Sequence, residues 1–326
     1  MRVGIGAACA CAALLAVAPS AHAFELENVT AAPASNQAGA NADLTLSFEV
    51  IEPEADLRDL TIHLPPGLIG NPRAASMCTE SELSADNCPA GSAVGTVVND
   101  LEVDLVVPIP LSVSGTVYNV VPRAGEPARF GIVLDPLPIP LPGNPLFPKI
   151  IVQSAATLRP SDLGLDTILN GLPNTATVAG IPTQINITSL SLTLDGTAPS
   201  GQGFIRLPTS CKTHNVGFDA AAYDGQTATA NAQFATSNCG ALPFTPELSA
   251  RVKRVGAVND PIELSTTIAQ TIEEAGLRRA QVVLPAGIGG NNDVLSNQCS
   301  QADFLAETCP AASLVGFASA TSPLLS

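Results

Sequence analysis

The chain predicts an all-β fold, read as tandem immunoglobulin-like β-sandwich modules with short helical turns and local disulfides. Three observations carry this. Apolar and polar residues alternate with a period of two along many short segments, turn residues separate those segments, and cysteines recur at a fixed spacing. Glycine and proline number 26 and 28 among 326 residues, enough for many turns and too aperiodic for collagen.

The first element is a leader. MRVGIGAACACAALLAVAPSAHA places one basic residue, Arg2, before an apolar run from Val3 to Ala18 and a small-residue site at Ala21-His22-Ala23. This is the form of a signal peptide, residues 1–23, removed after Ala23. The run is shorter than the roughly 20 residues that span a bilayer, so no transmembrane segment is expected in the mature chain. Losing Arg2 leaves 13 of the 14 basic residues against 29 acidic ones, a net charge of −16. That charge argues against nucleic acid and anionic membrane as partners. The expected location is secreted, extracellular or at the cell surface, with an unidentified ligand there as partner.

Strand patterns follow. Leu44, Leu46, Phe48 and Val50 alternate with Thr45, Ser47 and Glu49, and Leu60, Ile62 and Leu64 alternate with Thr61 and His63. Further strands are expected at 101–107, 111–121, 129–134, 149–158, 185–194, 203–207, 215–220 and 227–234. Short helices are expected at Ser161–Asn170 and between paired cysteines. At Leu64-Pro65-Pro66-Gly67 two missing backbone donors and a residue free to adopt positive φ terminate the strand.

The stretch Leu64–Gly95 is written a second time at Leu284–Gly316. Leu64, Pro65, Gly67, Gly70 and Asn71 match Leu284, Pro285, Gly287, Gly290 and Asn291. Cys78, Cys88, Pro89, Ser92, Val94 and Gly95 match Cys299, Cys309, Pro310, Ser313, Val315 and Gly316. The shared residues are turn geometry and crosslinks. Upstream, Glu27 and Leu44 answer Glu247 and Leu264. The expected organisation is a first β module at 24–148, with the Cys78/Cys88 loop and a Pro-rich connection, and a second at 149–246, with Cys211/Cys239. A partial repeat of the first module follows at 247–326. The connection, DPLPIPLPGNPLFP, holds six prolines and is expected to be extended. Because the sequence stops seventeen residues after Cys309, it is expected to be a fragment of a longer repeat protein.

The combination of AGANADLTLSF, LPPGLIGNP, CPAGSAVG, VYNVVPRAGEPARFG and LPTSC…NCGALPFTPELS resembles the large secreted repeat proteins of actinobacteria, a group of predicted surface proteins. The resemblance implies modular β-rich units and an extracellular setting. It supplies no activity and no binding residue.

Cys9 and Cys11 leave with the leader, and six cysteines allow 15 pairings. The duplicated spacing favours Cys78–Cys88 and Cys299–Cys309, leaving Cys211 for Cys239. Nine intervening residues do not fit a zinc knuckle, so crosslinks are expected and no metal or cofactor. The mature histidines, His63 and His214, lie in no recognisable catalytic motif, and Ser92 and Ser210 have no base nearby in sequence. Asp135, Glu273 and Glu274 are carboxylates of the kind a sugar hydrolase uses, but the chain has no tryptophan to build a sugar platform. Val258-Asn259-Asp260-Pro261 is the best calcium candidate, without a DxDxDG loop. Leu172–Ala176, LPNTA, resembles a sorting signal but lacks the apolar and basic tail. The expected function is an exported structural or adhesive surface protein without catalytic activity. The alternative is a secreted carbohydrate-binding module or glycoside hydrolase.

Overall fold

The computed structural model describes residues 24–51, 55–104, 107–135, 149–178, 181–257, 261–290 and 296–321. The expected leader, almost all of the Pro-rich connection and the calcium candidate at 258–260 lie outside them. In chain order the strands are β1 (Glu25–Pro33), β2 (Leu44–Ile51), β3 (Leu57–His63), β4 (Ile69–Gly70), β5 (Ala93–Asp104), β6 (Pro108–Val120), β7 (Ala128–Asp135) and β8 (Ile150–Leu158). They continue as β9 (Leu165–Leu169), β10 (Thr175–Val178), β11 (Ile181–Leu194), β12 (Ile205–Arg206), β13 (Thr213–Ala222), β14 (Thr227–Ala235), β15 (Glu247–Arg254) and β16 (Ile262–Ala269). Among the described residues the α-helices are single turns, α1 (Glu80–Ser84) and α2 (Gln301–Leu305).

Eleven strands form one path, β1-β2-β11-β5-β6-β7-β8-β9-β3-β13-β14, with β10 added to β11. All neighbours on the path are antiparallel. An odd number of alternating strands leaves the first and last pointing the same way. β1 and β14 meet at a parallel seam, tied at one end by the Phe24 N–H donating to Gln226 Oε1 at 3.1 Å and at the other by a parallel bridge between Gln37 and Ser237. The sheet is therefore nearly a closed barrel. Its interior is filled by one side of every alternation, including Leu44, Leu46, Phe48, Val97, Leu190, Leu192 and Phe218. Phe48 of β2 meets Phe218 of β13 edge to face, with centroids 6.0 Å apart. An apolar void of about 30 Å³ remains between Leu46, Val97, Ile132 and Leu190.

This architecture corrects two expectations. Tandem immunoglobulin-like modules on either side of Lys149 are not what these residues form. β7 pairs with β8 across that point, β11 pairs with β2 and β5, and β13 pairs with β3. The alternation correctly marks a buried face on each strand but does not name its partner, and neither half encloses its apolar face alone. The helix expected at Ser161–Asn170 is a turn, with Leu163 at φ 61°, leading into β9. There the pairing of Leu165–Leu169 with both β8 and β3 overrides local preference.

The three disulfides join Cys78 to Cys88, Cys211 to Cys239 and Cys299 to Cys309. The first staples a loop whose α1 turn is closed by a capping box between Thr79 and Glu82. Residues 117–131, VYNVVPRAGEPARFG, are the platform that receives it. The Asn119 amide donates to Pro72 O at 2.8 Å and Ser76 O at 3.2 Å, while Cys78 and residues 119–121 exchange backbone bonds of 2.8 and 3.0 Å. Leu83, fully buried, packs with Cys78, Val120 and Val133. It lies over Gly131, where a Cβ would come within 2.5 Å of a leucine methyl. Arg123 pairs with Glu80 at 2.7 Å, and Lys149 bridges Asp86 to Asp135. Hydrogen bonds to Asp135 and then Asp86 push the Lys149 ammonium up to about 12.

Residues 299–313 follow the same local succession: cysteine, capped turn, positive φ at Glu307 as at Asp86, and a 3₁₀ turn after proline. Their setting differs. Phe304, in the place of Leu83, is 70% exposed, and Val315, in the place of fully buried Val94, is 79% exposed. β15 and β16 pair with each other and are exposed throughout. Residues 280–284, the counterpart of Leu60–Leu64, form no strand. β3 lies between β9 and β13, and no such neighbours flank residues 280–284 among the described residues.

Candidate functional site

A connected group of charged side chains lies where β3 leaves the sheet. Pro65 and Pro66 end the ladder as their missing donors require, and Gly67, at φ 91°, completes the turn closed by Leu68 N–H to Pro65 O at 3.2 Å. The last residue of β3, His63, stands opposite Asp166 of β9 and Gly217 of β13. Gly217 lets the imidazole lie over it, since a Cβ there would come 3.2 Å from His63 Cδ2. The ring thereby reaches Asp219 two residues on. His63 Nδ1 meets Asp166 Oδ1 at 2.8 Å and Nε2 meets Asp219 Oδ2 at 2.9 Å.

Arg159 extends this network. It pairs with Asp166, holds Asp162 through Nε at 3.0 Å and Nη2 at 3.1 Å, and donates to Leu64 O at 2.8 Å. Burial of the His63 ring works against its charged form, but the hydrogen bonds that Asp219 and Asp166 accept from it outweigh this and raise the pKa above the ordinary 6.5. With both nitrogens held by carboxylates, His63 is a cross-strand clamp between β3, β9 and β13 rather than a free base. A raised pKa means the folded state binds the proton more tightly. The contribution to stability is complete below about pH 6.5 and is lost as the pH climbs through the folded value. A proton-detected titration is expected to place the His63 midpoint above 6.5, and Asp219→Asn to lower it. A midpoint unmoved by that substitution would remove the clamp.

His214, on β13, is buried and stacked on Phe234 with centroids 5.2 Å apart. Its Nε2 faces Thr236 Oγ1 at 2.9 Å and Ser210 O at 3.2 Å, and the Thr236 hydroxyl donates to the same carbonyl at 2.6 Å. Burial pushes its pKa down. The imidazole thus meets the carbonyl of Ser210 and not its hydroxyl, and the Thr236 hydroxyl that it also meets gives its proton to that carbonyl. Ser92 is buried and donates to Pro89 O at 2.6 Å as part of the first disulfide loop.

The other candidates also have local duties. Glu274 accepts from Thr245 N at 3.0 Å and from the Thr245 hydroxyl, which holds its carboxyl below the usual range. Its carbonyl receives Arg206 Nη2 at 3.2 Å, a buried guanidinium that also donates to Gly39 O at 3.0 Å and so anchors this loop on the barrel. Glu273 acts electrostatically on that same guanidinium. Asp135 is paired with Lys149 at 2.8 Å. Leu172–Ala176 runs into β10, with Leu172 buried and its carbonyl accepting from Tyr223 at 2.9 Å. Among the described residues no three His, Cys, Asp or Glu side chains converge as a metal set.

A second feature lies on the outside of the barrel. The register sets Thr45, Thr193, Thr96 and Thr116 in one row across β2, β11, β5 and β6. The next row holds Thr30, Ser47, Ser191, Val98 and Ser114, and a third Glu49, Ser189, Asp100 and Ser112. Neighbours bond laterally: Thr45 to Thr193 at 2.9 Å, Thr30 to Ser47 at 2.7 Å, and Ser189 to Asp100 at 2.8 Å. All of these residues are exposed or half-buried.

The clamp and the hydroxyl rows could not be located from the sequence. The polar side of each strand was visible, but Asp166 fell in a segment read as helix, and a row exists only once the register is known. In comparisons with protein-family models, curated proteins and solved structures, no match is found. No helix among the described residues is long and apolar enough to cross a membrane.

Proposed function

We propose that this chain is an exported, non-catalytic adhesive component of the cell surface, repeated in units and stabilised by local disulfides. The observation that carries the reading is the outward face of β2, β11, β5 and β6, with its hydroxyl rows. Side chains that are short, laterally bonded and held at the spacing of the sheet lose little conformational freedom when a partner binds. Each hydroxyl both donates and accepts, which suits a partner rich in hydroxyl or amide groups. Both nitrogens of His63 and the Nε2 of His214 are held by structural bonds, and the carboxylates of the barrel end are spent on Arg159 and His63, which supports a role without turnover.

Binding of the mature chain to whole cells and to a glycan array tests this. The double variant Thr96→Lys/Thr193→Lys, which changes exposed or half-buried side chains, is expected to lose most binding with its melting temperature nearly unchanged. Binding that persists in this variant would dismiss the face. Turnover of glycosidase or esterase substrates that survives repurification would favour the enzymatic alternative.

A further inference from the structure

Beside the His63 clamp the barrel end opens into a polar groove of about 430 Å³, the size range of small-ligand sites. We propose that this groove binds a sugar acid, a single pyranose carrying a carboxylate. The proposal is independent of the hydroxyl face, which lies on other strands.

One cation in the lining, Lys212, selects the acid. His63 and Arg159 line one side, where the three carboxylates Asp219, Asp166 and Asp162 outnumber them and leave no positive charge to spare. Lys212 lines the groove without a carboxylate partner among the described residues. Its backbone is fixed on both sides, by the Cys211–Cys239 crosslink and by Thr236 N–H donating to Lys212 O at 3.2 Å. One free ammonium on a rigid backbone suits one carboxylate.

The neighbouring amides select the sugar. Asn215 Nδ2 donates to Asn231 Oδ1 at 2.8 Å, which fixes both side chains. That bond leaves the Asn215 carbonyl as an acceptor and an Asn231 N–H as a donor, a pair that two adjacent sugar hydroxyls can satisfy. Pro66, half-buried, supplies apolar surface for the C–H face of a ring. A simple inorganic anion would leave the amides and the proline surface unused, and a neutral sugar would leave Lys212 unpaired. The net negative charge of the chain opposes an acid at long range, but salt screens it beyond about 8–10 Å.

The test is a calorimetric and amide-shift titration of the full chain with sodium glucuronate and galacturonate, against glucose and sodium acetate. A sugar acid is expected to shift the amides of residues 212–217 and 231 and to bind at least about tenfold more tightly than glucose or acetate. Lys212→Gln, a surface change, is expected to weaken it about tenfold or more, the scale of a charge-assisted bond, with the fold and the whole-cell binding unchanged. Absence of shifts with both acids, equal binding of acetate or glucose, or full affinity in Lys212→Gln would each overturn the proposal. Loss of whole-cell binding in Thr96→Lys/Thr193→Lys with sugar-acid binding retained would leave it standing.

Discussion

Phe218→Ala is expected to destabilise the barrel by about 3–5 kcal/mol, the cost of emptying a buried phenylalanine site, and so to lower the melting temperature by roughly 6–20 °C. Phe218 lies on β13 and its edge-to-face partner Phe48 on β2, so the vacancy opens in a core shared by both halves of the chain. The effect should therefore spread. Hydrogen exchange is expected to accelerate in β2, β5 and β11 together with β13 and β14, in one cooperative unit. Exchange that rises only in residues 149–235, with β2 and β5 still protected, would restore two separate modules divided at Lys149.

The second large effect concerns crosslinks of equal size in unequal settings. Cys78–Cys88 and Cys299–Cys309 both span ten residues, and the chain-entropy model assigns each about 3 kcal/mol. Among the described residues only the first is coupled to the sheet, through buried Leu83, the Asn119 bonds and Lys149. Cys78→Ser/Cys88→Ser is expected to lower barrel stability by about 3 kcal/mol in chemical denaturation. Cys299→Ser/Cys309→Ser is expected to leave the barrel transition where it is, because Phe304 of α2 is largely exposed where Leu83 is buried. Equal losses from the two double variants would show that the second loop is as firmly integrated as the first.

What was legible in the sequence was local. The period-two pattern at Leu44–Val50 marked the buried face of β2 correctly, and LPPG ended β3 at His63 as proline chemistry requires. The duplicated cysteine spacing matched the crosslinks now seen. Long-range pairing was not legible. His63 meets Asp166 and Asp219 across separations of 103 and 156 residues, and no local signal encodes that juxtaposition. The same holds for the threonine row, which brings Thr45 beside Thr193. Residues 117–131 stood out as a motif, yet their role as the seat of the first disulfide loop requires the fold.

The odd strand number has a mechanical consequence. Since β1 and β14 run the same way, the chain enters the barrel at Phe24 at one end and leaves past Ser237 at the other. A nine-residue strand at about 3.3 Å per residue separates these points by roughly 30 Å. Units joined through such ends would advance along a line, each adding its length to a filament, instead of folding back on one another. Tension between the ends would pull β1 and β14 along their own axes. The ladders β1–β2 and β13–β14 would then be sheared, with all their bonds loaded at once, and not peeled open one bond at a time.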